Sequence, residues 1–243
     1  MKKRISILNV PINDVSLAET VAAAQAAARN GKRLRVVTAN PEIICRAASE
    51  DGLRAAVTEA DLVTADGVGV LWAARRLGQP LRERVTGIDL AQALFQAGES
   101  LGWRVFLLGG QPGVAAEAAA RQAELYPGLV FAHAHGYFRP AEEAALTEQI
   151  RAFRPHILLA GLGAPRQEIW LNAHMDLASV TVGVGGALDV LAGRKKRAPL
   201  WMRRSGCEWL YRLAREPGRI RRQWILPLFV WRVIKEGPGR GRD

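Results

Sequence analysis

The sequence contains only two cysteines, Cys45 and Cys207, among 243 residues. Two cysteines cannot form the disulfide framework of a small secreted domain, so the chain is not expected to need an oxidising compartment. Its N-terminal apolar run is also short, because polar residues and a proline interrupt it from Asn9 onward and no small-residue cleavage site follows. We therefore interpret the N-terminus as a first strand rather than a signal peptide, and we expect a cytoplasmic protein.

Long apolar segments and metal-binding clusters are also missing. In the C-terminal part the longest uninterrupted apolar run extends from Trp224 to Trp231, far short of the ~20 residues that cross a bilayer as a helix. The four histidines are scattered, and His133 and His135 have no evident third ligand. There is no D-x-D pair to hold a divalent ion against a diphosphate. We therefore expect neither a metal nor another cofactor, and a bound diphosphate would need arginine for its positive charge.

No dinucleotide-binding fingerprint is present either. That fingerprint requires G-x-G-x-x-G after the first strand, with an acidic residue about 20 residues later. The runs that begin at Gly161 and Gly183 lack the third glycine, and the LGGQPG segment has a different spacing. A nicotinamide-dependent oxidoreductase is thus disfavoured, whereas a mononucleotide site remains open.

The net charge of +11 is concentrated at one end of the chain. Residues 1–193 contain 19 basic and 19 acidic side chains, whereas residues 194–243 contain 15 basic and 4 acidic ones. A neutral body with a cationic tail indicates an anionic partner at a defined place. We therefore divide the chain into an α/β catalytic domain, residues 1–193, and a basic, aromatic helical appendage, residues 194–243.

Short apolar runs alternate with alanine-rich helical segments throughout the body. Ser16 and Glu19 have the spacing of a capping box, and Asn40-Pro41 places an N-cap residue before a first-turn proline. This alternation predicts an α/β fold, with a Rossmann-like, mostly parallel sheet and helices on both of its faces. After Gly193 the sequence shows only helical patterns.

Polar residues and glycine turns follow the predicted strands, at the edge of the sheet where open parallel sheets bind their ligands. Three of the glycine turns lead directly into helices, where backbone N–H groups can approach a phosphate. Each such turn, taken singly, is more often structural than functional. The residues at these strand ends are Thr38, Asn40, Asp66-Gly67, Gly109-Gly110, His133 to Gly136, Gly161 to Gln167 and Gly183 to Asp189.

Asp66 is the acidic residue that we single out as a catalytic base. It ends a short apolar strand, and the glycines after it leave its carboxylate beside open backbone. A base at this position could accept the proton of an attacking hydroxyl group. The alternative interpretation is an N-cap for the following helix. Asp189 and Glu168 are weaker candidates, since Glu168 lies in the first turn of a helix, where the helix dipole alone favours a carboxylate.

The appendage places Trp201, Trp209, Tyr211, Trp224 and Trp231 among arginines. Short apolar stretches with interfacial tryptophans and flanking cations suit a segment that lies in the headgroup region of a membrane. Each Lys or Arg near an anionic leaflet adds ~1 kcal/mol of attraction. Docking of the aromatic residues onto the body is the second interpretation. Nucleic-acid binding is the third, because the cations lie among Leu, Ile, Val and Phe rather than small polar residues.

Several motifs, taken together, resemble the WecG/TagA/CpsF family of bacterial glycosyltransferases. Their order and spacing agree with the family from residue 38 to residue 222, which makes the set far more specific than any one of its members. The motifs are TANPEI, TADGVGV, ERVTGIDL, FLLGGQPGV, HGYF, GLGAPRQEIW, GVGGALDVLAG, RAPLW and EWLYRLAREPGRIRR.

The resemblance implies inverting, metal-independent transfer of a sugar from a UDP-sugar to a sugar linked to a polyprenyl diphosphate. Known members add N-acetylmannosamine or its uronic acid to lipid-linked N-acetylglucosamine, in the synthesis of cell-surface polysaccharides. The resemblance further implies a peripheral protein on the anionic inner face of the cell membrane, without a nucleic-acid partner. A homo-oligomer is compatible with the sequence, which fixes no oligomeric state.

The resemblance also assigns roles to individual positions. Asp66 matches the proposed catalytic base, with Thr38 and Asn40 as active-site polar residues. The expected substrate-binding residues are Gln167 and Arg84, the turns with Gly109-Gly110 and with Gly185, Gly186 and Asp189, and three arginines of the appendage, Arg212, Arg219 and Arg222.

Three rival functions stay open from the sequence. A hexosyltransferase for capsule or exopolysaccharide intermediates would use the same site with other sugars. A non-catalytic, membrane-attached module that binds glycolipids or nucleic acid belongs to another class, and the intact set of Asp66, Thr38, Asn40 and Gln167 argues against it. The oxidoreductase is the most distant of the three.

Overall fold

A computed structural model describes residues 3–215 and 224–237 of the chain. Eight β-strands lie within these residues, and six of them form one parallel sheet. The strands are β1 (Arg4–Ile7), β2 (Val10–Asn13), β3 (Leu34–Ala39), β4 (Leu62–Ala65), β5 (Arg104–Gly109), β6 (Val130–Ala134), β7 (Ile157–Gly161) and β8 (Val180–Gly183).

Helices connect the strands and account for all of the regular structure after β8 in the described residues. A short 3₁₀ turn, Met175–Leu177, precedes β8. The α-helices are α1 (Leu17–Arg29), α2 (Pro41–Ala47), α3 (Asp51–Thr58), α4 (Val68–Arg76), α5 (Gly87–Glu99), α6 (Val114–Leu125), α7 (Pro140–Phe153), α8 (Arg166–Ala173), α9 (Ala187–Leu191), α10 (Leu200–Arg204), α11 (Glu208–Arg215) and α12 (Ile225–Glu236).

The sheet has the strand order β4-β3-β8-β7-β5-β6, and every neighbouring pair is parallel. Although β8 is the last strand in the sequence, it lies inside the sheet between β3 and β7. The carboxyl ends of β4, β3 and β8 therefore lie side by side, with Ala39 paired to Ala65 and Val37 paired to Gly183. The prediction of an α/β fold with a parallel sheet is confirmed.

Successive side chains of each strand enter opposite faces of the sheet, and both faces are buried. On β5, Val105 and Leu107 belong to one apolar cluster, under α1, α5, α6 and α9, whereas Phe106 and Leu108 belong to another, under α7 and α8. A third cluster lies on the second face near β3 and β4, under α2, α3 and α4. The fold thus consists of three layers, helix, sheet and helix.

Two helix starts in the body form as their sequences predict. Ser16 accepts a hydrogen bond from the backbone of Glu19, whose side chain accepts one in return, so the capping box is present. Asn40 caps α2 through its side-chain oxygen, which accepts from the backbone N–H of Ile43 at 2.9 Å. Because Asn40 directly follows β3, this cap also fixes the path of the chain as it leaves the sheet.

The N-terminal segment forms a hairpin outside the main sheet. The predicted first strand exists as β1, and it pairs in antiparallel fashion with β2. Leu8 and Asn9 form the turn with positive φ values of 52° and 65°, as a tight two-residue hairpin turn requires. The side chain of Asn13 accepts a hydrogen bond from the backbone of Val63 at 2.8 Å, which attaches the hairpin beside β4.

The last helix, α12, packs against the body. Phe229 and Val233 are buried in the cluster under α2 and α4. Arg232 donates to the carbonyl oxygen of Cys45 at 3.1 Å, and Glu236 accepts from the backbone N–H of Leu8 at 3.2 Å. Part of the appendage is therefore held on the body by apolar burial and by two specific hydrogen bonds.

Candidate active site

A cleft of about 250 Å³ opens at the carboxyl ends of β3, β4 and β8. The body provides one side of it and the appendage the other. The body residues are Asn40, Pro41, Glu42, Asp66, Gly67, Val68, Arg84, Thr86, Gly87, Ile88, Val184, Gly186 and Ala187, and the appendage residues are Gly206, Glu208, Trp209, Ile225 and Leu226.

Asp66 lines this cleft directly after β4. Its backbone N–H donates to the carbonyl oxygen of Ala39 at 2.8 Å, which continues the β3–β4 pairing by one residue. Gly67 follows with φ +112°, a conformation that favours glycine. Gly67 holds the N-cap position of α4 that the alternative interpretation gave to Asp66. The strand end and the glycine turn thus present a half-buried carboxylate to the cleft.

Four helices of the body begin at the cleft. The first residues of α2, α4, α5 and α9 are Pro41, Val68, Gly87 and Ala187, and all of them line it. Backbone N–H groups at helix N-termini carry partial positive charge and bind phosphate oxygens. The body side of the cleft therefore combines two carboxylates, those of Asp66 and Glu42, with several groups that favour an anion.

Thr38 and Asn40 lie at the end of β3, at different depths. Asn40 lines the cleft, while its side-chain oxygen caps α2. Thr38 is buried behind the wall, where its hydroxyl group donates to the carbonyl oxygen of Gly183 at 2.9 Å. A Cβ added to Gly87 would lie 3.2 Å from the backbone of Val184 and 3.4 Å from the Thr38 hydroxyl. Thr38 thus supports the cleft wall from inside the protein.

Arg84 joins the body to the appendage across the cleft. Its guanidinium donates to Glu208 of α11 at 3.3 Å, and both side chains are largely buried, with 18% and 9% of their surfaces exposed. Sequence reasoning missed Glu208. The available signal was its position, because it is the first acidic residue after fourteen residues with six basic side chains and no acid.

A second ion pair connects the start of the appendage to α5. Arg197 lies 2.5 Å from the carboxylate of Asp89, which also accepts a hydrogen bond from the hydroxyl of Thr86 at 2.6 Å. Burial by itself would raise the pKa of Asp89, but the hydrogen bonds from Thr86 and Arg197 outweigh it and the pKa is lowered. Thr86 lines the cleft, so this pair helps to fix the cleft margin.

The wall that follows β8 is supported by Gln167. The side-chain oxygen of Gln167 accepts from the backbone N–H of Gly185 at 3.1 Å, and its amide nitrogen donates to Glu168 at 2.7 Å. Gln167 is buried and lies behind the turn, whereas Gly186 lines the cleft. The structure places Gln167 against Gly185, the residue before Gly186, but only Gly186 is among the cleft residues.

The remaining sequence candidates in the body lie away from this cleft. Gly109 and Gly110 follow β5, two strands from β8, where they contact Gly161 and Val114 so closely that a Cβ would collide. Asp189 lies in α9 and pairs with Lys195 at 3.6 Å. The structure therefore does not bring these three residues together with Asp66.

Three arginines of the appendage were predicted to reach the substrate. Arg212 belongs to α11, the helix whose residues Glu208 and Trp209 line the cleft. Arg219 and Arg222 lie outside the described residues. Their contact with a diphosphate stays a prediction.

Several large apolar side chains of the appendage are exposed on α10, α11 and α12 and next to them. Trp201 and Trp224 expose 68% and 73% of their surfaces, and Trp209 and Trp231 about half. Trp209 also lines the cleft, so the exposed aromatic surface adjoins the cleft mouth. In the described part of the chain, no helix has both the length and the apolar character to span a bilayer. Among the same residues, no three His, Cys, Asp or Glu side chains gather as metal ligands would.

Comparison with known proteins extends over almost the whole chain. The sequence model of the glycosyl transferase WecG/TagA/CpsF family matches residues 5–243. A curated relative from Staphylococcus aureus strain MW2, named N-acetylglucosaminyldiphosphoundecaprenol N-acetyl-beta-D-mannosaminyltransferase, is 34% identical over 236 residues, which cover 96% of this chain and 92% of the relative. A relative of the same name from strain MRSA252 is 35% identical over 238 residues, with the same coverage of both chains.

Proposed function

This chain belongs to the WecG/TagA/CpsF family of glycosyl transferases, and we propose that it moves N-acetylmannosamine from a UDP-sugar to N-acetylglucosamine on a polyprenyl diphosphate. The chain is a glycosyltransferase, as the motifs indicated. The names of the Staphylococcus aureus relatives support this donor sugar and this acceptor. The alternative donor sugar is the uronic acid of N-acetylmannosamine.

The observation that carries the proposal is the position of Asp66 in a cleft where four helices of the body begin. In the proposed reaction an acceptor hydroxyl attacks the anomeric carbon of the donor and loses its proton to Asp66. The bond between that carbon and the UDP oxygen breaks, and UDP leaves as an anion. Attack from the face opposite the leaving group inverts the anomeric configuration.

The charge that develops on UDP is offset by the helix N-termini and by Arg84 in this proposal. Arg212, Arg219 and Arg222 would add positive charge from the appendage. Thr38 and Gln167 are proposed to hold the cleft walls, and Asn40 to face the substrate. The turns with Gly109-Gly110 and with Gly185 to Asp189 stay candidates for the nucleotide site.

Association with the inner face of the cell membrane is the second part of the proposal. Its support is the net positive charge of the appendage together with its exposed tryptophans, of which Trp209 lines the cleft. A surface of this kind lies in the headgroup region, where cations meet anionic lipids and tryptophans enter the interface. An acceptor anchored in the same leaflet would then reach the cleft without leaving the membrane.

The experiment is a donor screen with lipid-linked N-acetylglucosamine in detergent or vesicles. UDP release and product mass are measured for UDP-N-acetylmannosamine, its uronic acid form, UDP-N-acetylglucosamine and UDP-glucose. We expect release with the first donor and a product heavier by one N-acetylhexosamine. If UDP is released only from the uronic acid donor, that sugar and not N-acetylmannosamine is the transferred group. No release with any donor would support the non-catalytic alternative.

A further inference from the structure

Glu168 is a buried acidic residue next to the cleft wall that the proposed reaction leaves without a role. It lies in the first turn of α8 and only 2% of its surface is exposed. One carboxyl oxygen accepts from the side-chain amide of Gln167 at 2.7 Å. The other, Oε2, is buried and has no hydrogen-bond partner among the residues that the structure describes. An ionised Glu168 with one buried, unpaired oxygen would destabilise the fold, because a buried negative charge needs a hydrogen bond or a cation at each oxygen.

Among the charged groups around Glu168, Arg46 favours the ionised carboxyl through its charge but makes no hydrogen bond to it. From α2, the Glu42 carboxylate acts on it with the same sign, and Arg46 uses its guanidinium on Glu50 at 2.7 Å and on the carbonyl oxygen of Ala164 at 2.9 Å. On the other sides of α8, three charged side chains bond elsewhere. Glu59 accepts from Asn172, Glu143 accepts from Trp170, and Arg35 donates to the carbonyl oxygen of Ala56.

Gln167 connects Glu168 to the cleft wall through two hydrogen bonds, one to each. With its amide nitrogen on Glu168, its oxygen is directed at the backbone N–H of Gly185. A Cβ on Gly183 would lie 2.9 Å from the same amide nitrogen, so the space around Gln167 is filled. Gly185 is followed by Gly186 and Ala187, which line the cleft at the start of α9. Three linked groups thus connect a buried acid to a wall of the site.

We propose that Glu168 is a positioning residue that works as a neutral carboxylic acid, holding Gln167 against the Gly185 amide and so fixing the wall of the cleft. The proposal rests on the proposed function for its effect on the rate, but not for its structural content. Burial raises the pKa of Glu168, and the Glu42 carboxylate raises it further. The hydrogen bonds from Gln167 and from the backbone N–H of Glu168 itself lower this pKa in part, as does the charge of Arg46, but the net shift is upward. Ionisation of Glu168 would demand water or Arg46, and recruitment of Arg46 would break its bonds to Glu50 and to the carbonyl oxygen of Ala164.

The sign of the pH effect follows from the raised pKa. Between the ordinary value of 4.5 and the raised value, the folded chain holds a proton that the unfolded chain has released. This contribution to stability is therefore complete below 4.5 and is lost as the pH rises through the folded pKa. The transfer rate should fall over the upper part of the same range.

Two substitutions at Glu168 separate a neutral acid from a carboxylate. Glu168→Gln keeps an uncharged group with an oxygen for Gln167, and we expect turnover within about twofold of wild type without the alkaline fall due to Glu168. Glu168→Leu removes the acceptor, and we expect a loss of about tenfold, the equivalent of one hydrogen bond to a buried group. Glu143→Gln is the matched control, since it changes another acid that accepts from α8 but has no link to Gly185.

Two measurements on the full chain need no substrate, so they test the same inference independently of the transfer rate. The glutamate side-chain carboxyl carbons are labelled for NMR, and the signal that disappears in Glu168→Gln is assigned to Glu168. This signal should titrate at a higher pH than the signals of all other glutamates. Exchange of the Gly185 amide should stay slow in Glu168→Gln and accelerate about tenfold in Glu168→Leu. An ordinary titration of that signal, or equal damage by both substitutions, would overturn the proposal. Absence of UDP release from every donor would count against the proposed function alone.

Discussion

The two sides of the cleft are built in different ways. On the body side, Asp66 and Asn40 follow buried strands, and backbone hydrogen bonds or a helix cap fix the chain at each of them. On the appendage side, Glu208, Trp209 and Ile225 come from short helices that leave much of their apolar surface exposed. The body up to residue 193 is neutral, whereas the appendage carries the whole net charge.

From this difference we infer separate tasks for the two regions. Asp66, the proposed base, lies at the edge of the sheet, where strand pairing sets its position. The cations and tryptophans of the proposed membrane surface lie on a segment whose described residues are attached to the body through four ion pairs and the buried face of α12. Changes on the body side should therefore affect chemistry, and changes on the appendage side should affect closure and membrane binding.

The largest expected effect is on the body side. Asp66→Asn removes the proposed base, so turnover should fall by about 10²- to 10⁴-fold. The UDP-sugar should still bind, because the helix N-termini and Arg84 are unchanged. UDP release and calorimetric binding measure the two quantities. Asp51→Asn, at an exposed carboxylate of α3, is the control, and retention of most activity by Asp66→Asn would remove Asp66 from this role.

The next effect concerns the attachment of α12. Phe229→Ala should cost about 3 kcal/mol of docking energy, the usual loss for a fully buried phenylalanine. Amides of α12 should then exchange with solvent faster by about a hundredfold, while those of β3 and β4 stay protected. Phe229→Leu, which keeps most of the buried volume, should show a smaller change. Unaltered exchange in α12 would mean that Phe229 does not hold the helix on the body.

The ion pair between Arg84 and Glu208 should contribute less than the buried phenylalanine. Glu208→Gln leaves a buried guanidinium without its charged partner and should lower the free energy of unfolding by about 2 kcal/mol. Arg84→Gln should cost a similar amount, and the double variant little more, because the two side chains act as a pair. The exposed pair of Arg139 and Glu142 is the control, with an expected cost of at most about 0.5 kcal/mol. Additive losses at Arg84 and Glu208 would show that they do not interact.

The smallest expected effect is on the membrane. Trp224→Ser removes one exposed tryptophan and should weaken binding to vesicles with anionic lipids by about fivefold, or ~1 kcal/mol of lost apolar contact. Activity on a water-soluble acceptor should not change. Tyr137→Ser removes an exposed aromatic residue of the body, shortly after β6, and should leave vesicle binding unchanged. If Trp224→Ser binds vesicles as tightly as the wild type, Trp224 does not contact the membrane.

Local sequence patterns were sufficient to predict the parallel sheet and two cleft residues. Apolar runs that end in a polar residue place Asn40 and Asp66 at strand ends, and parallel strands bring those ends to one edge. The cap at Asn40 was predictable because its partner is only three residues away in sequence. The charge count separated the appendage from the body for a similar reason, since it depends on composition alone.

Strand order and long-range contacts could not be predicted in this way. The turn with Gly109-Gly110 looks like the other glycine turns, but β5 lies two strands from β8, so the turn lies away from Asp66. Gln167 is polar and near a glycine motif, but its burial depends on the packing of α8 against β8. Glu208 meets Arg84 across 124 residues of sequence, and no local pattern encodes that contact.

The most direct test of a cleft built from two regions is hydrogen exchange of the full chain in the Asp66→Asn variant, with and without UDP-N-acetylmannosamine. This variant should hold the donor without turning it over. The account predicts that the donor slows exchange both in the body, around residues 66–70 and 184–188, and in α11 and the start of α12. Protection confined to the body, with α11 and α12 unchanged, would contradict it.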